Sequence, residues 1–228
     1  MADDDALKKV SIPHHAGQLT KPFTMIDLAQ IDDMVLSVYL CQGTMPHHRH
    51  LDQDELFLVH TGTISLDSEW GGAILRPGEL AVAPKGVGHR SSSLLKSAVL
   101  LLQPRLMVNR RNGHRRLFAL KSDNRLEKVS VPAVGRQIAS PYVPVILAHV
   151  DTYALTLMRC RGESPWLGTE ERGSLVLCFD GSLALDTETE AVPLMIGELV
   201  VVPRGVAYQL SSGDGALVMG LERRVRSG

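Results

Sequence analysis

Metal-ligating residue types crowd one stretch of this chain, Gly43-Thr-Met-Pro-His-His-Arg-His50-Leu-Asp-Gln-Asp-Glu55. Side chains on a strand alternate between faces, so His48 and His50 point the same way and His47 points the other. A turn of four residues then brings Glu55 to the head of the segment ELFLVH. With Glu55 facing inward, Phe57 and Val59 share its face and His60 faces out. Further on, Pro84-Lys85-Gly86 makes a stiff turn ahead of His89, a fourth donor. Three neutral imidazoles and one carboxylate suit Fe, Mn, Ni, Cu, Co or Zn and leave room for water or substrate. A carboxylate inside an apolar interior also calls for a cation beside it. The expectation is one divalent transition metal ion per chain (Fe, Mn, Ni or Zn), held by His48, His50, Glu55 and His89.

The elements that must position these donors read as strands. MVLSVYL, ELFLVH, TISLDS, ELAVAP and AVLLLQP are short, apolar or alternating, and rich in Val, Ile and Leu. Thr61-Gly62, Gly71-Gly72, Pro77-Gly78 and Pro84-Lys85-Gly86 supply turn signals between them. The whole pattern then recurs at an offset of 119 residues: Gly43 matches Gly162, Gly78-Glu79-Leu80 matches Gly197-Glu198-Leu199, and Pro84 and Gly86 match Pro203 and Gly205. From roughly residue 8 to 103 about a third of the paired positions are identical, far above chance, which reads as internal duplication. The fold class expected is all-β, two tandem jelly-roll barrels. The first spans 1–104 and the second 127–228. Between them lies a basic linker, 105–126, with Arg105, Arg110, Arg111, Arg115, Arg116, Lys121 and Arg125.

The same offset carries His48 to Leu167, His50 to Thr169, Glu55 to Ser174 and His89 to Tyr208. The second copy keeps the framework Gly and Pro residues and drops every donor. Its plainest role is packing against the first. A sharper one is a metal-free pocket lined by Trp166, Arg159, Arg161 and Tyr208. In the first copy, Tyr39, Cys41, Gln42 and Arg90 are the polar residues expected near the metal, and no catalytic base is assigned.

At these residues the sequence resembles the cupin superfamily. That family's first motif runs Gly, a short spacer, His-x-His, three or four residues, Glu, six residues, Gly, and here reads Gly43, His48-Arg49-His50, Glu55, Gly62. Its second runs Gly, five residues, Pro-x-Gly-x-x-His, and here reads Gly78, Pro84-Lys85-Gly86, His89. Gly43 stands one residue closer to the first His than usual, and Ser93 replaces a frequent Asn. The resemblance implies double-stranded β-helix (RmlC-like) barrels and metal ligation by the two His, the Glu and the later His. It narrows to two-barrel cupins (bicupins) with one working site and a degenerate C-terminal barrel. It also implies a metal-dependent dioxygenase, decarboxylase or isomerase acting on a small organic molecule. The alternative is a non-catalytic small-molecule or metal-sensing cupin.

Composition bounds the partners. With a formal net charge of -1 the chain offers no global attraction for nucleic acid or an acidic membrane. No apolar run approaches the roughly 18 residues needed to span a bilayer, and the acidic start MADDDALKK lacks the pattern of a signal peptide. The expected location is cytoplasmic, with a small-molecule ligand and a homodimer as a candidate assembly. Three cysteines without a C-x-x-C pair point to buried thiols rather than disulfides or a zinc cluster.

Overall fold

The alternating segments become strands in the computed structural model, which describes residues 7–105, 125–168 and 171–223. The first half contains β1 (Val10–Ser11), α1 (Ile12–Gln18), β2 (Met25–Ile31), β3 (Met34–Thr44), β4 (Glu55–Thr61), β5 (Ile64–Ser68), β6 (Gly71–Leu75), β7 (Glu79–Ala83) and β8 (His89–Pro104). The second contains β9 (Lys128–Ser130), α2 (Val131–Gln137), β10 (Val145–Val150), β11 (Tyr153–Glu163), β12 (Ser174–Thr187), β13 (Ala191–Met195), β14 (Glu198–Val202) and β15 (Tyr208–Arg223). The fold is all-β. Its short helices each start on a serine cap, where Ser11 accepts from the His14 amide and Ser130 from the Ala133 amide, with Pro in the first turn. Residues 106–124 of the basic stretch, and Thr169, lie outside the described residues.

Gly71-Gly72 is not a turn, as its composition implied, but the start of β6, which pairs Gly71 with Ser68 and Gly72 with Asp67. The reversal falls on Glu69-Trp70 instead, where Ser68 Oγ accepts from the Trp70 amide. The ladder partner, not local composition, settles the conformation of a Gly pair here.

The strands form two antiparallel sheets. One runs β2-β3-β8-β4-β7-β9, with β5 bridging β8 and β6. The other runs β1-β14-β12-β15-β11-β10, with β13 on β12. Each sheet is built from one half of the chain except at one edge, where the halves trade a strand. Val10 and Ser11 pair with Leu199 and Glu198, and Val129 and Ser130 pair with Leu80 and Glu79. The chain then turns alike at both places: the Ile12 amide donates to the Gly197 carbonyl at 2.8 Å, and the Val131 amide to the Gly78 carbonyl at 2.9 Å. Both glycines have positive φ, 77° and 76°, which a side chain would resist.

Three apolar clusters follow. One lies within the first sheet and includes Tyr39, Cys41, Phe57, Val59, Val99 and Leu101. A second lies within the other sheet and includes Val176, Cys178, Tyr208 and Val218. The third draws on both halves, with Leu56, Leu58 and Leu100 meeting Leu157, Leu177 and Met219. Thus β4 buries Phe57 and Val59 inside its own sheet and Leu56 and Leu58 against the other half, which explains its unbroken apolar run. All three cysteines are free and buried. Among the described residues, no helix is long and apolar enough to cross a membrane.

Candidate metal centre

His48, His50, Glu55 and His89 converge, each offering one ligand atom, with all four atoms within 4.8 Å of one another. Local structure explains the convergence. The segment carrying His48 forms an isolated antiparallel bridge with His89: the His48 amide donates to the His89 carbonyl at 3.0 Å, and the His89 amide returns a bond at 2.8 Å. The Gly86 amide donates to the His50 carbonyl, so the stiff Pro84-Lys85-Gly86 turn grips the same segment. Glu55 opens β4, pairing with Ala83 of β7. His50, Glu55 and His89 are buried, and His48 is half-buried at the rim.

The hydrogen bonds set the tautomers. His48 Nδ1 lies 3.0 Å from the Pro46 carbonyl, and His89 Nδ1 lies 3.0 Å from the Val87 carbonyl. A carbonyl only accepts, so Nδ1 carries the proton in both rings and Nε2 turns toward Glu55. The Nε2 atoms of His50 and His89 each stand 3.0 Å from a Glu55 oxygen, and that of His48 stands at 4.0 Å. Burial pushes the Glu55 carboxyl up, but its close contacts with the His50 and His89 rings outweigh it and hold the group well below the usual carboxylate range. Burial lowers the pKa of His48, favouring the neutral ring that a metal needs. The donor set therefore fits a borderline divalent cation, with His48 at the open side.

An ion pair behind the site was not foreseen. Arg49, between two donors, is 8% exposed, and its guanidinium meets Glu69. The other Glu69 oxygen accepts from the Gly88 amide at 3.0 Å, immediately before His89. One ion pair thus ties both donor-bearing segments together. A charged residue inside a His-x-His stretch reads as exposed in sequence, which hid this role. A buried amide pair, Gln53 to Gln103 at 3.2 Å, lies two residues ahead of Glu55.

The other expected neighbours divide by strand parity. Tyr39 and Cys41 face inward, and the Tyr39 hydroxyl donates to Ser91 Oγ at 3.1 Å. Burial drives the Tyr39 pKa far up, so the phenol stays protonated. Gln42 is half-buried beside a break in register between β3 and β8. Arg90 points outward to Asp67 at 3.4 Å. His47 is exposed and lies against Gly88, outside the converging set.

The equivalent place in the second half keeps the backbone and changes the chemistry. Leu167 and Tyr208 make an isolated bridge, with amide-to-carbonyl distances of 2.7 and 3.0 Å. Ser174 opens β12 and hydrogen-bonds the Tyr208 hydroxyl. Trp166, Leu167, Ser174 and Tyr208 line a cavity of about 520 Å³. Arg159 and Arg161, expected there, are absent from its wall. Arg159 donates to the Ile138 and Gly135 carbonyls, and Arg161 is exposed. Met158 and Cys160 take the inward positions on β11, and alternation sends both arginines outward.

The fold is that of cupin proteins. A cupin 2 conserved barrel domain protein from Leptotrichia buccalis superimposes with a TM-score of 0.71 over 95% of this chain and 96% of its own, at 9% identity. A salicylate 1,2-dioxygenase from Pseudaminobacter salicylatoxidans superimposes with a TM-score of 0.72 over 97% of this chain and 84% of its own, at 12% identity. That enzyme has also been solved with gentisate adducts, and this form gives a TM-score of 0.70 over 97% and 82%, at 12% identity. In sequence, the uncharacterized protein YdbB of Bacillus subtilis is 25% identical over 89 residues, 39% of this chain and 79% of that protein. No family model matches the chain.

Proposed function

We propose that this chain is a two-barrel cupin in which the first half holds one divalent transition metal ion and uses it to transform a small organic molecule. The observation that carries the reading is the set of four donors within 4.8 Å, two of whose rings are locked by backbone carbonyls with Nε2 presented inward. His48, His50, Glu55 and His89 would hold the ion, and Glu55 would neutralise part of its charge. When bound, such an ion supplies Lewis acidity or activation of dioxygen. The chain's own part is to fix the donors, to keep water out with Phe57, Tyr39 and Val59, and to leave the His48 side open for substrate. The structural likeness to a dioxygenase solved with gentisate supports oxygen chemistry on a small organic acid over decarboxylation or isomerisation.

On the same reading the chain duplicated one barrel, with 1–104 and 127–228 as the two copies and 105–126 between them. The second copy takes no ion at Leu167, Ser174 and Tyr208. Positive φ at four non-glycine residues supports common ancestry: Phe23 and Tyr142 at 58° and 59°, Asp32 and Asp151 at 51° and 50°, each pair 119 residues apart.

The test is elemental analysis after loading with Fe, Mn, Ni or Zn, followed by oxygen uptake with a panel of phenols, diketones and keto acids. The expected result is one ion per chain and uptake that His48→Ala abolishes. Failure to load any ion overturns the metal reading. One bound ion with no oxygen uptake and no product across the panel favours the non-catalytic sensor.

A further inference from the structure

The cavity, lined mainly by the second half with Ile31 and Asp32 of the first, lies at the place that corresponds to the donor site, and it has a sequence cause. Two inward positions that are large in the first sheet are small in the second, although Ala81 and Ala83 correspond to the larger Val200 and Val202. Phe57, whose ring lies 5.9 Å from that of His89, corresponds to Val176, and Leu101 corresponds to Gly220. Glu55 corresponds to Ser174. Here bulk was lost as well, and the space left, about 520 Å³, falls in the size range of small-molecule sites.

The wall states the chemistry of an occupant. Val176 and Val218 form apolar sides, and Ser174 and Tyr208 take the chain positions that the carboxylate and an imidazole hold in the other half. Burial raises the Tyr208 pKa, so this phenol remains neutral. Two acids, Asp32 and Glu222, and two bases, Arg172 and Arg223, line the cavity, so its charges balance. Arg172 donates to the Arg223 carbonyl at 3.1 Å. A carboxylate ligand would therefore meet no excess of positive charge to offset the water it loses, which is costly. Trp166, 55% exposed on the cavity margin, offers a ring face.

We infer that this cavity binds a neutral aromatic alcohol, with its ring against Trp166 and the apolar wall and its hydroxyl at Ser174 and Tyr208. The site is separate from the metal centre. It rests on the structural equivalence of the two halves and not on metal binding, so either reading can fail alone.

The test uses the full chain carrying Trp70→Phe, which leaves Trp166 as its single tryptophan. 2-Naphthol is the probe and 2-naphthoate its charged counterpart. Saturable quenching of Trp166 at one site per chain is expected, with naphthoate at least about tenfold weaker. Val176→Phe restores the bulk found at Phe57 and is expected to abolish saturation with the protein still folded. If that variant does not fold, Trp166→Ala followed by calorimetry carries the test, with affinity expected to fall about fivefold. No saturation in the parent protein, equal or tighter binding of naphthoate, or unchanged naphthol affinity in folded Val176→Phe or in Trp166→Ala overturns the proposal.

Discussion

The two halves place the same backbone bridge at the same point, His48 with His89 in one and Leu167 with Tyr208 in the other. In the first half the bridge brings imidazoles onto a buried carboxylate. In the second it brings a leucine and a tyrosine onto a serine. The supporting pair differs too. Arg49 and Glu69 pin the donor segments together, whereas their counterparts are Gly168, at a φ of 108°, and Glu188. The frame therefore does not depend on the donors. Bridge, turn and strand lengths are held by ladder bonds and apolar packing, and the set of four donors is a residue pattern laid on that frame.

If the frame is common, its core should weigh equally in both halves. Leu58 and Leu177 are counterparts, each 4% exposed, and both face the cluster shared between the halves. Truncation of either to Ala is expected to cost about 2–5 kcal/mol, through lost burial and the cavity left behind. Because the cluster is shared, each variant should melt in one transition that lowers both halves together. Calorimetry checks this. Two resolved transitions, or a loss confined to one half, would break the comparison at its base.

The supporting pair tests where the halves part. Glu69→Gln removes the charge that holds Arg49 and weakens the hold on Gly88 while leaving all four donors in place. Metal affinity is expected to fall about 10–100-fold, as for other groups that orient ligands from behind. Glu188→Gln, the matching change, should leave affinity unaltered. Competition with a chromogenic chelator reads both. Equal affinity in Glu69→Gln and the parent would mean that the bridge alone positions the donors.

Acid offers a third contrast. Folding depresses the pKa of Glu55 and of His48. For each, the unfolded chain binds its proton more readily, so the associated stability is complete above the unfolded pKa and is lost as pH falls through the folded one. In metal-free protein, stability should start to decline below about pH 6.5, where unfolded His48 titrates, and decline further below about pH 4.5, where unfolded Glu55 does. Glu55→Gln should flatten the lower limb, and Ser174→Ala should leave it as in the parent. Urea midpoints across that range are the measurement. A lower limb unchanged in Glu55→Gln would place the acid sensitivity elsewhere.

Much of this contrast was legible in the sequence, for physical reasons. Parity along His48-Arg49-His50 and the rigid turn before His89 are local, and local chemistry fixes which way those donors point. The regular offset exposed Leu167, Ser174 and Tyr208 as their replacements. What stayed hidden depends on distant partners. Gly71-Gly72 joins a strand because β5 is beside it. Arg49 is buried because Glu69 returns from the following hairpin. The strand exchange at Val10-Ser11 and Lys128–Ser130 involves segments too short to carry any period. Arg159 and Arg161 were misplaced because their strand's register could not be set without its neighbours.

The strand exchange gives the smallest and most symmetric test. Lys9 reaches Glu198 at 3.1 Å and the Pro193 carbonyl at 3.3 Å. Lys128 reaches Glu79 at 3.1 Å and the Ile74 carbonyl at 3.4 Å. Every partner recurs at the same offset, and the two lysine side chains are 39% and 36% exposed. Exposed ion pairs are weak because water already solvates both charges and two long side chains must be held still. Lys9→Ala and Lys128→Ala are each expected to cost less than about 1 kcal/mol, and their costs should agree within about 0.5 kcal/mol. Chemical denaturation of both variants and the double variant decides it. Equal, additive losses would mean that each edge strand is held by its own half-independent contacts. A large excess in one arm would show that the exchange, although symmetric in its hydrogen bonds, anchors one half more firmly than the other.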